Sequence, residues 1–185
     1  MKKLLTLLIA AVLAAFAVAC APSVVNNHNT STTEDQKSEC VASLLPNVVE
    51  LKYGASFGTG FIYTYDGDDP IMLTNFHLCG TDSFYAEYLS VRFSGTTDYV
   101  SDIAEVLGYD ATYDTVVLRL HGDVPKTEFV DLRAKIEITP KAAEEVLLIG
   151  NATGNGLSVF DGVVSAPEKV IEIDGKTLAT MSTTA

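Results

Sequence analysis

The sequence is short of positive charge, and this shortage restricts the partners that the protein can bind. Its 185 residues carry 12 Lys and Arg against 24 Asp and Glu, with a formal net charge of −12 at pH 7. Such a surface repels the phosphate backbone of nucleic acids and anionic lipid headgroups. We therefore expect no nucleic-acid partner, and we interpret the acidity as a contribution to solubility.

Histidine and cysteine are also scarce, which leaves few side chains to hold a metal. The three histidines are His28, His77 and His121, and none of them stands at ligand spacing from a cysteine. We expect neither a metal site nor any other cofactor.

The chain has no apolar run that comfortably spans a membrane, which takes about 20 residues. The run over residues 4–18 is shorter and follows Lys2 and Lys3, a pattern typical of a signal peptide over residues 1–19. The run ends in Ala17-Val18-Ala19-Cys20, which resembles the lipobox of bacterial lipoproteins. That resemblance implies an acylated Cys20 and a lipid-anchored protein of the bacterial cell envelope, facing the periplasm or the exterior. An ordinary secretory A-x-A cleavage site is the alternative.

Residues 20–40 are polar and predict a tether between the lipid and the folded part. Besides Cys20, the sequence has two cysteines, Cys40 and Cys79. Export would place both in a compartment that permits disulfides. A disulfide between them would stabilise the folded state by about 4 kcal/mol, because it reduces the entropy of the unfolded chain. Two free thiols are the alternative.

No amphipathic helix of real length is predicted after residue 45. Short runs of strand-forming residues alternate instead with Gly, Asp and Pro turns, which predicts an all-β protein of barrel or sandwich type. The predicted strands are 48–53, 56–64, 71–74, 90–93, 101–109, 115–120, 135–138, 145–150, 157–165, 170–173 and 176–181.

Five fragments in this order resemble the trypsin-like serine peptidases, particularly the bacterial Deg (high-temperature-requirement) type. They are Gly58-Thr59-Gly60-Phe61-Ile62, Leu73-Thr74-Asn75-Phe76-His77, Asp114-Thr115-Val116-Val117-Leu118-Arg119-Leu120, Leu148-Ile149-Gly150-Asn151 and Gly162-Val163-Val164-Ser165. The resemblance covers about residues 47–181. It implies a double β-barrel, with the first barrel over residues 41–128 and an incomplete second barrel over residues 129–185.

The resemblance also implies catalytic roles for two side chains. His77 would be the general base, and Asp114 would orient its imidazole. Asp114 directly precedes an apolar strand, which places it at the barrel rim, whereas the rival Asp110 lies earlier in the same loop. The expected function is serine endopeptidase, with polypeptides as substrates.

The nucleophile motif of that family, Gly-Asn-Ser-Gly-Gly, is missing from the sequence. We expect the serine to follow Ala185 in a longer protein, and we expect the 185-residue chain alone to be inactive. Ser56 matches the G-x-S-x-G pattern of other hydrolases, but that motif needs a following helix and a different order of triad residues. The alternatives are a non-catalytic peptide-binding relative and a β-rich envelope lipoprotein.

Overall fold

The described part of the chain begins with a helix and continues as two antiparallel sheets. A computed structural model describes residues 33–79, 83–122, 124–125, 129–133, 139–151, 154–173 and 175–185, without the side chains of residues 33, 79, 173 and 176. The predicted strand over residues 135–138 and the signal peptide over residues 1–19 lie outside the described residues.

The first sheet has seven strands in the order β5-β4-β1-β2-β3-β7-β6. Every neighbouring pair is antiparallel. The strands are β1 Val48–Tyr53, β2 Ser56–Asp66, β3 Asp69–Thr74, β4 Leu89–Phe93, β5 Val100–Ser101, β6 Ala104–Asp110 and β7 Thr115–Leu120. Short 3-10 turns cover Leu45–Asn47, Phe76–Cys79 and Ala86–Tyr88.

The connection between β5 and β6 requires this sheet to curl. The two strands lie at opposite edges, yet only Asp102 and Ile103 stand between them. Three peptide steps reach at most about 11 Å, whereas the edges of a flat seven-stranded sheet are about 29 Å apart. The edges therefore approach each other, and the sheet forms a curled half-barrel. The predicted all-β barrel architecture is confirmed.

Apolar side chains fill the inside of this half-barrel because alternate residues of a strand point to one face. Val49 and Leu51 of β1 pack there with Val91 of β4 and Leu118 of β7. The middle of the sheet is buried on its outer face as well. The second apolar cluster, on that outer face, contains Leu44, Tyr63, Ile71, Leu73, Val117 and Leu132.

The helix α1, Thr33–Leu44, differs from the sequence prediction, which placed a polar tether up to residue 40. Its first turn carries Glu34 and Asp35, and negative charge there stabilises a helix through its dipole. Its last residue, Leu44, is buried in the outer apolar cluster, and Cys40 packs against the same cluster. Lys37 in its first half pairs with Asp161 of the second sheet at 3.2 Å. Tertiary contacts therefore hold a helix that has no apolar stripe along its length.

Residues 129–133 pack on the first sheet, although the second barrel was predicted to begin at residue 129. Phe129 joins the inner core, and Leu132 donates its backbone N–H to the carbonyl of Tyr63 at 2.9 Å. Asn47 is buried and bonds both backbone groups of Val130, at 2.8 and 2.9 Å. The division of the chain at residue 128 remains a prediction, and these contacts hold the next five residues against the first sheet.

The second sheet has three strands in the order β10-β9-β8. They are β8 Glu145–Gly150, β9 Ser158–Ile173 and β10 Lys176–Thr183. One long strand, β9, replaces the two predicted over residues 157–165 and 170–173, because its first part pairs with β8 and its second part with β10. The register shifts on β10 around Ser182 lie opposite Pro167, which has no N–H to offer to the ladder.

Among the described residues, no helix is long and apolar enough to cross a membrane.

Candidate active site

His77 lies three residues after the interior strand β3, in the 3-10 turn Phe76–Cys79. Its neighbours anchor the turn: Phe76 is buried and stacks on Tyr109 with ring centroids 5.1 Å apart, and Leu78 is buried against Gly58. A Cβ at Gly58 would lie 2.9 Å from Leu78, so this approach depends on glycine. The imidazole between the two anchors is 75% exposed and faces outward from a fixed backbone.

Asp114 reaches His77 because β3 and β7 are neighbours in the sheet. Thr74, the last residue of β3, is paired with Val116 of β7, so the residues after β3 and before β7 lie at the same end. Asp114 ends the turn before β7 with φ at +52°. Aspartate and asparagine adopt this left-handed conformation more readily than most residues.

The carboxylate of Asp114 accepts hydrogen bonds from three donors in the histidine segment. His77 Nδ1 lies 2.6 Å from Oδ2, and the backbone N–H of His77 donates to Oδ1, also at 2.6 Å. Asn75 Nδ2 donates to Oδ2 and to the backbone carbonyl of Asp114, each at 3.1 Å. These bonds fix both the side chain and the backbone of Asp114 relative to His77.

Asn75 also contributes to the site, although no role was predicted for it from the sequence. It was included only as one letter of the fragment that ends in His77. The signal that could have found it is its position at the end of a strand, where a side-chain amide can bridge two neighbouring loops.

Asp110, the rival carboxylate, has a different set of partners. Its Oδ1 accepts the backbone N–H groups of Thr112 at 2.7 Å and Tyr113 at 3.2 Å. This is an aspartate that closes a turn through its own side chain. It shapes the loop that delivers Asp114.

The hydrogen bond from His77 Nδ1–H to Asp114 sets what the imidazole can do. A neutral imidazole carries one proton, so a proton on Nδ1 leaves the lone pair on Nε2. An exposed Nε2 acceptor can take a proton from a hydroxyl group that lies within hydrogen-bond reach. The pair therefore has the chemistry of an oriented general base.

The other residues singled out in the sequence lie away from this pair or outside the described residues. His121 is exposed after β7, and its backbone N–H donates to Ile103 at 2.8 Å. Ser56 opens β2 after a two-residue turn, in a strand–turn–strand setting. Within the ranges given above, no group of three or more His, Cys, Asp or Glu side chains could hold a metal ion.

Of the cysteines, Cys40 forms a disulfide. The side chain of Cys79, its predicted partner, and the whole of Cys20 lie outside the described part of the chain. The pairing of Cys40 with Cys79 and the acylation of Cys20 remain predictions.

Comparisons with known proteins identify the family. A model of the trypsin-like peptidase domain matches residues 58–185. The chain is 28% identical to the magnetosome formation protease MamE of Magnetospirillum gryphiswaldense over 127 residues, which are 66% of this chain and 14% of that protein. The chain thus spans a small part of that curated relative.

Two solved structures share the fold. The serine endoprotease from Yersinia pestis matches with a TM-score of 0.59 and 22% identity, over 83% of this chain and 54% of that one. The MamO protease domain from Magnetospirillum magneticum, in its apo form, matches with a TM-score of 0.56 and 17% identity, over 77% of this chain and 73% of that one. At these identities the structures support the fold, and the family model covers most of the chain. The chain belongs to the trypsin-like peptidase family.

Proposed function

We propose that this protein is a serine endopeptidase of the bacterial Deg type, with His77 as its general base and Asp114 as the residue that orients it. The single observation that carries the proposal is the 2.6 Å contact between His77 Nδ1 and Asp114 Oδ2. The family match adds that the surrounding domain is of the peptidase kind. The assignment to the Deg type rests on the five sequence fragments.

In the proposed reaction, Nε2 of His77 takes the proton of a serine hydroxyl as that oxygen attacks the carbonyl carbon of a peptide bond. His77 then returns the proton to the leaving amine, and the acyl-enzyme is hydrolysed by water in a second round of the same steps. Asp114 keeps its negative charge throughout and stabilises the imidazolium that forms. Its hydrogen bonds from Asn75 and from the His77 backbone hold it in place for this role.

The proposal includes a nucleophilic serine in a Gly-Asn-Ser-Gly-Gly motif encoded after Ala185. Fluorophosphonates phosphonylate an activated serine, so we expect a fluorophosphonate probe to label the longer gene product and not the 185-residue chain. Reading the coding sequence beyond codon 185 provides the second check. A stop codon at 186 would contradict the peptidase and favour a non-catalytic, peptide-binding relative. Labelling of the 185-residue chain would show that a different serine acts.

We also propose that the protein is anchored to the bacterial cell envelope through an acylated Cys20. Exchange of Cys20 for serine removes the acceptor thiol, and single acyl chains bind membranes only weakly while several bind firmly. We expect the wild-type protein to sediment with membranes of a bacterial host, and Cys20→Ser to move most of it to the soluble fraction. A Ser23→Ala variant, which changes a nearby residue and keeps the Cys20 thiol, is the matched control. Equal membrane association of Cys20→Ser and the wild type would contradict the anchor.

A further inference from the structure

A buried carboxylate that the proposed mechanism does not use, Glu50 of β1, lies between the two sheets. In the ladder it stands directly opposite Arg92 of β4 and Thr59 of β2. Its sequence neighbours Val49 and Leu51 point into the half-barrel. Because side chains alternate along a strand, Glu50, Arg92 and Thr59 form a polar row on the outer face.

Three hydrogen bonds from two side chains satisfy the Glu50 carboxylate, which is only 8% exposed. Arg92 donates from Nε to Oε1 at 3.0 Å and from Nη2 to Oε2 at 2.6 Å. Asn151 donates from Nδ2 to Oε2 at 2.6 Å. A buried carboxylate is tolerated only when it is paired and hydrogen-bonded, so this position requires both partners.

Asn151, the first residue after β8, brings the second sheet into this row. It is 1% exposed, and its backbone N–H donates to Thr59 Oγ1 at 2.7 Å. A Cβ at the preceding residue, Gly150, would lie 3.1 Å from the same hydroxyl oxygen. Asn151 Oδ1 also accepts the N–H of Gly156 at 3.3 Å, so one side chain closes the loop and joins the two sheets.

Thr59 connects this junction to the histidine segment. Its carbonyl accepts the hydroxyl of Thr74 at 2.9 Å, and Thr74 ends the strand that precedes His77. On the same edge, Phe57 packs against the loop at Gly154, while Gly58 packs against Leu78. The contacts of Thr59 with Asn151 and Thr74 therefore lie next to the segment that carries His77.

We propose that Glu50 is a positioning residue, which holds the β8 end of the second sheet against β2 through Asn151 and thereby sets that sheet relative to His77. The inference rests on the proposed function in one respect, namely that the two sheets flank the peptidase cleft. Arg92 supports the carboxylate from the other side, where its guanidinium lies 4.9 Å from the ring centroid of Tyr99. The amide–carboxylate bond acts together with the bond from the Asn151 backbone N–H to Thr59 Oγ1, and both join the end of β8 to the first sheet.

The test is amide hydrogen exchange on the full 185-residue chain, which needs no catalysis. In Glu50→Gln, the new side-chain NH₂ can face the NH₂ of Asn151, and the hydrogen bond between the side chains of residues 50 and 151 is lost. We expect exchange over residues 146–151 to accelerate about tenfold or more, since a lost hydrogen bond to a charged group changes a local equilibrium by at least that factor. Exchange in β3 and β7 should stay as in the wild type.

A polarity swap separates this role from general stabilisation. In the double variant Glu50→Gln with Asn151→Asp, the amide at 50 can donate to a carboxylate at 151, which can still accept the N–H of Gly156. We expect the double variant to return to within about threefold of wild-type exchange, the mark of direct coupling between neighbours. Glu105→Gln, which removes the charge of an exposed carboxylate paired with Arg119, is the matched control and should change nothing over residues 146–151.

Three results would overturn the proposal: unchanged exchange over residues 146–151 in Glu50→Gln, equal acceleration in β3 and β7, or no recovery in the double variant. None of them depends on whether the protein cleaves peptides. A failure of the peptidase assignment would appear instead as absent fluorophosphonate labelling of the longer gene product, with the exchange pattern intact.

Discussion

Replacing His77 with alanine is expected to lower peptidase turnover about a millionfold, the loss typical of removing a triad base. The imidazole is exposed and makes its side-chain bond to Asp114, so its removal takes away the proton acceptor without opening a hole in the apolar core. Phe76 and Leu78 still anchor the turn. The measurement is kcat on an unfolded protein substrate, with the longer gene product proposed above.

His121→Ala is the matched control for the loss of a histidine. His121 is exposed and its hydrogen bond to Ile103 comes from the backbone, so its substitution should leave kcat within about twofold of the wild type, as is usual for surface changes. Retention of substantial activity in His77→Ala, or an equal loss in His121→Ala, would refute the assignment of the base.

Exchange of Asp114 for asparagine should lower kcat about ten-thousandfold while the fold persists. Asparagine tolerates the left-handed backbone at this position as aspartate does. Its amide offers one acceptor oxygen where the carboxylate offers two, although the backbone N–H and Nδ1–H of His77 both need an acceptor. The imidazole then favours the tautomer with its proton on Nε2, which cannot accept a proton from serine.

The control for this variant is Asp110→Asn, because asparagine can still accept the turn bonds from Thr112 and Tyr113. We expect kcat within about twofold of the wild type, as for other substitutions away from the site. Thermal unfolding of both variants shows whether the fold is retained. If Asp110→Asn abolished turnover and Asp114→Asn did not, the roles of the two carboxylates would be reversed.

The positions of His77 and Asp114 at strand ends could be predicted because each borders an apolar run whose length and composition are typical of a buried strand. Their contact could not be derived from those runs alone. It depends on β3 pairing with β7, which are separated by three other strands along the chain. The family resemblance supplied the roles of the two residues, and the structure supplies the strand pairing and the bonds, including those of Asn75.

Two parts of the fold show where local patterns were insufficient. The polar segment before residue 40 has no apolar period, yet residues 33–44 form a helix, because Leu44 and Cys40 meet the outer apolar cluster. In the second sheet, two strands were predicted over residues 157–165 and 170–173, and Pro167 lies between them. The single strand β9 accommodates this residue through a shift in its register with β10. Register depends on both paired strands, so the pattern of one segment does not show it.

By itself, the sequence determined the class of the protein: strands with period-two apolar patterns, turns rich in Gly and Asp, and a histidine and an aspartate each placed at the border of a buried strand. These are local features, since backbone preferences and side-chain alternation act over a few residues. Only the tertiary structure decided which polar groups meet. Glu50 meets Thr59 and Arg92 because β1 pairs with β2 and with β4. It meets Asn151, which lies 101 residues away in the chain, because the second sheet docks on the outer face of the first. The role of a buried carboxylate becomes visible only when its partners are in place, because its hydrogen bonds come from other parts of the chain.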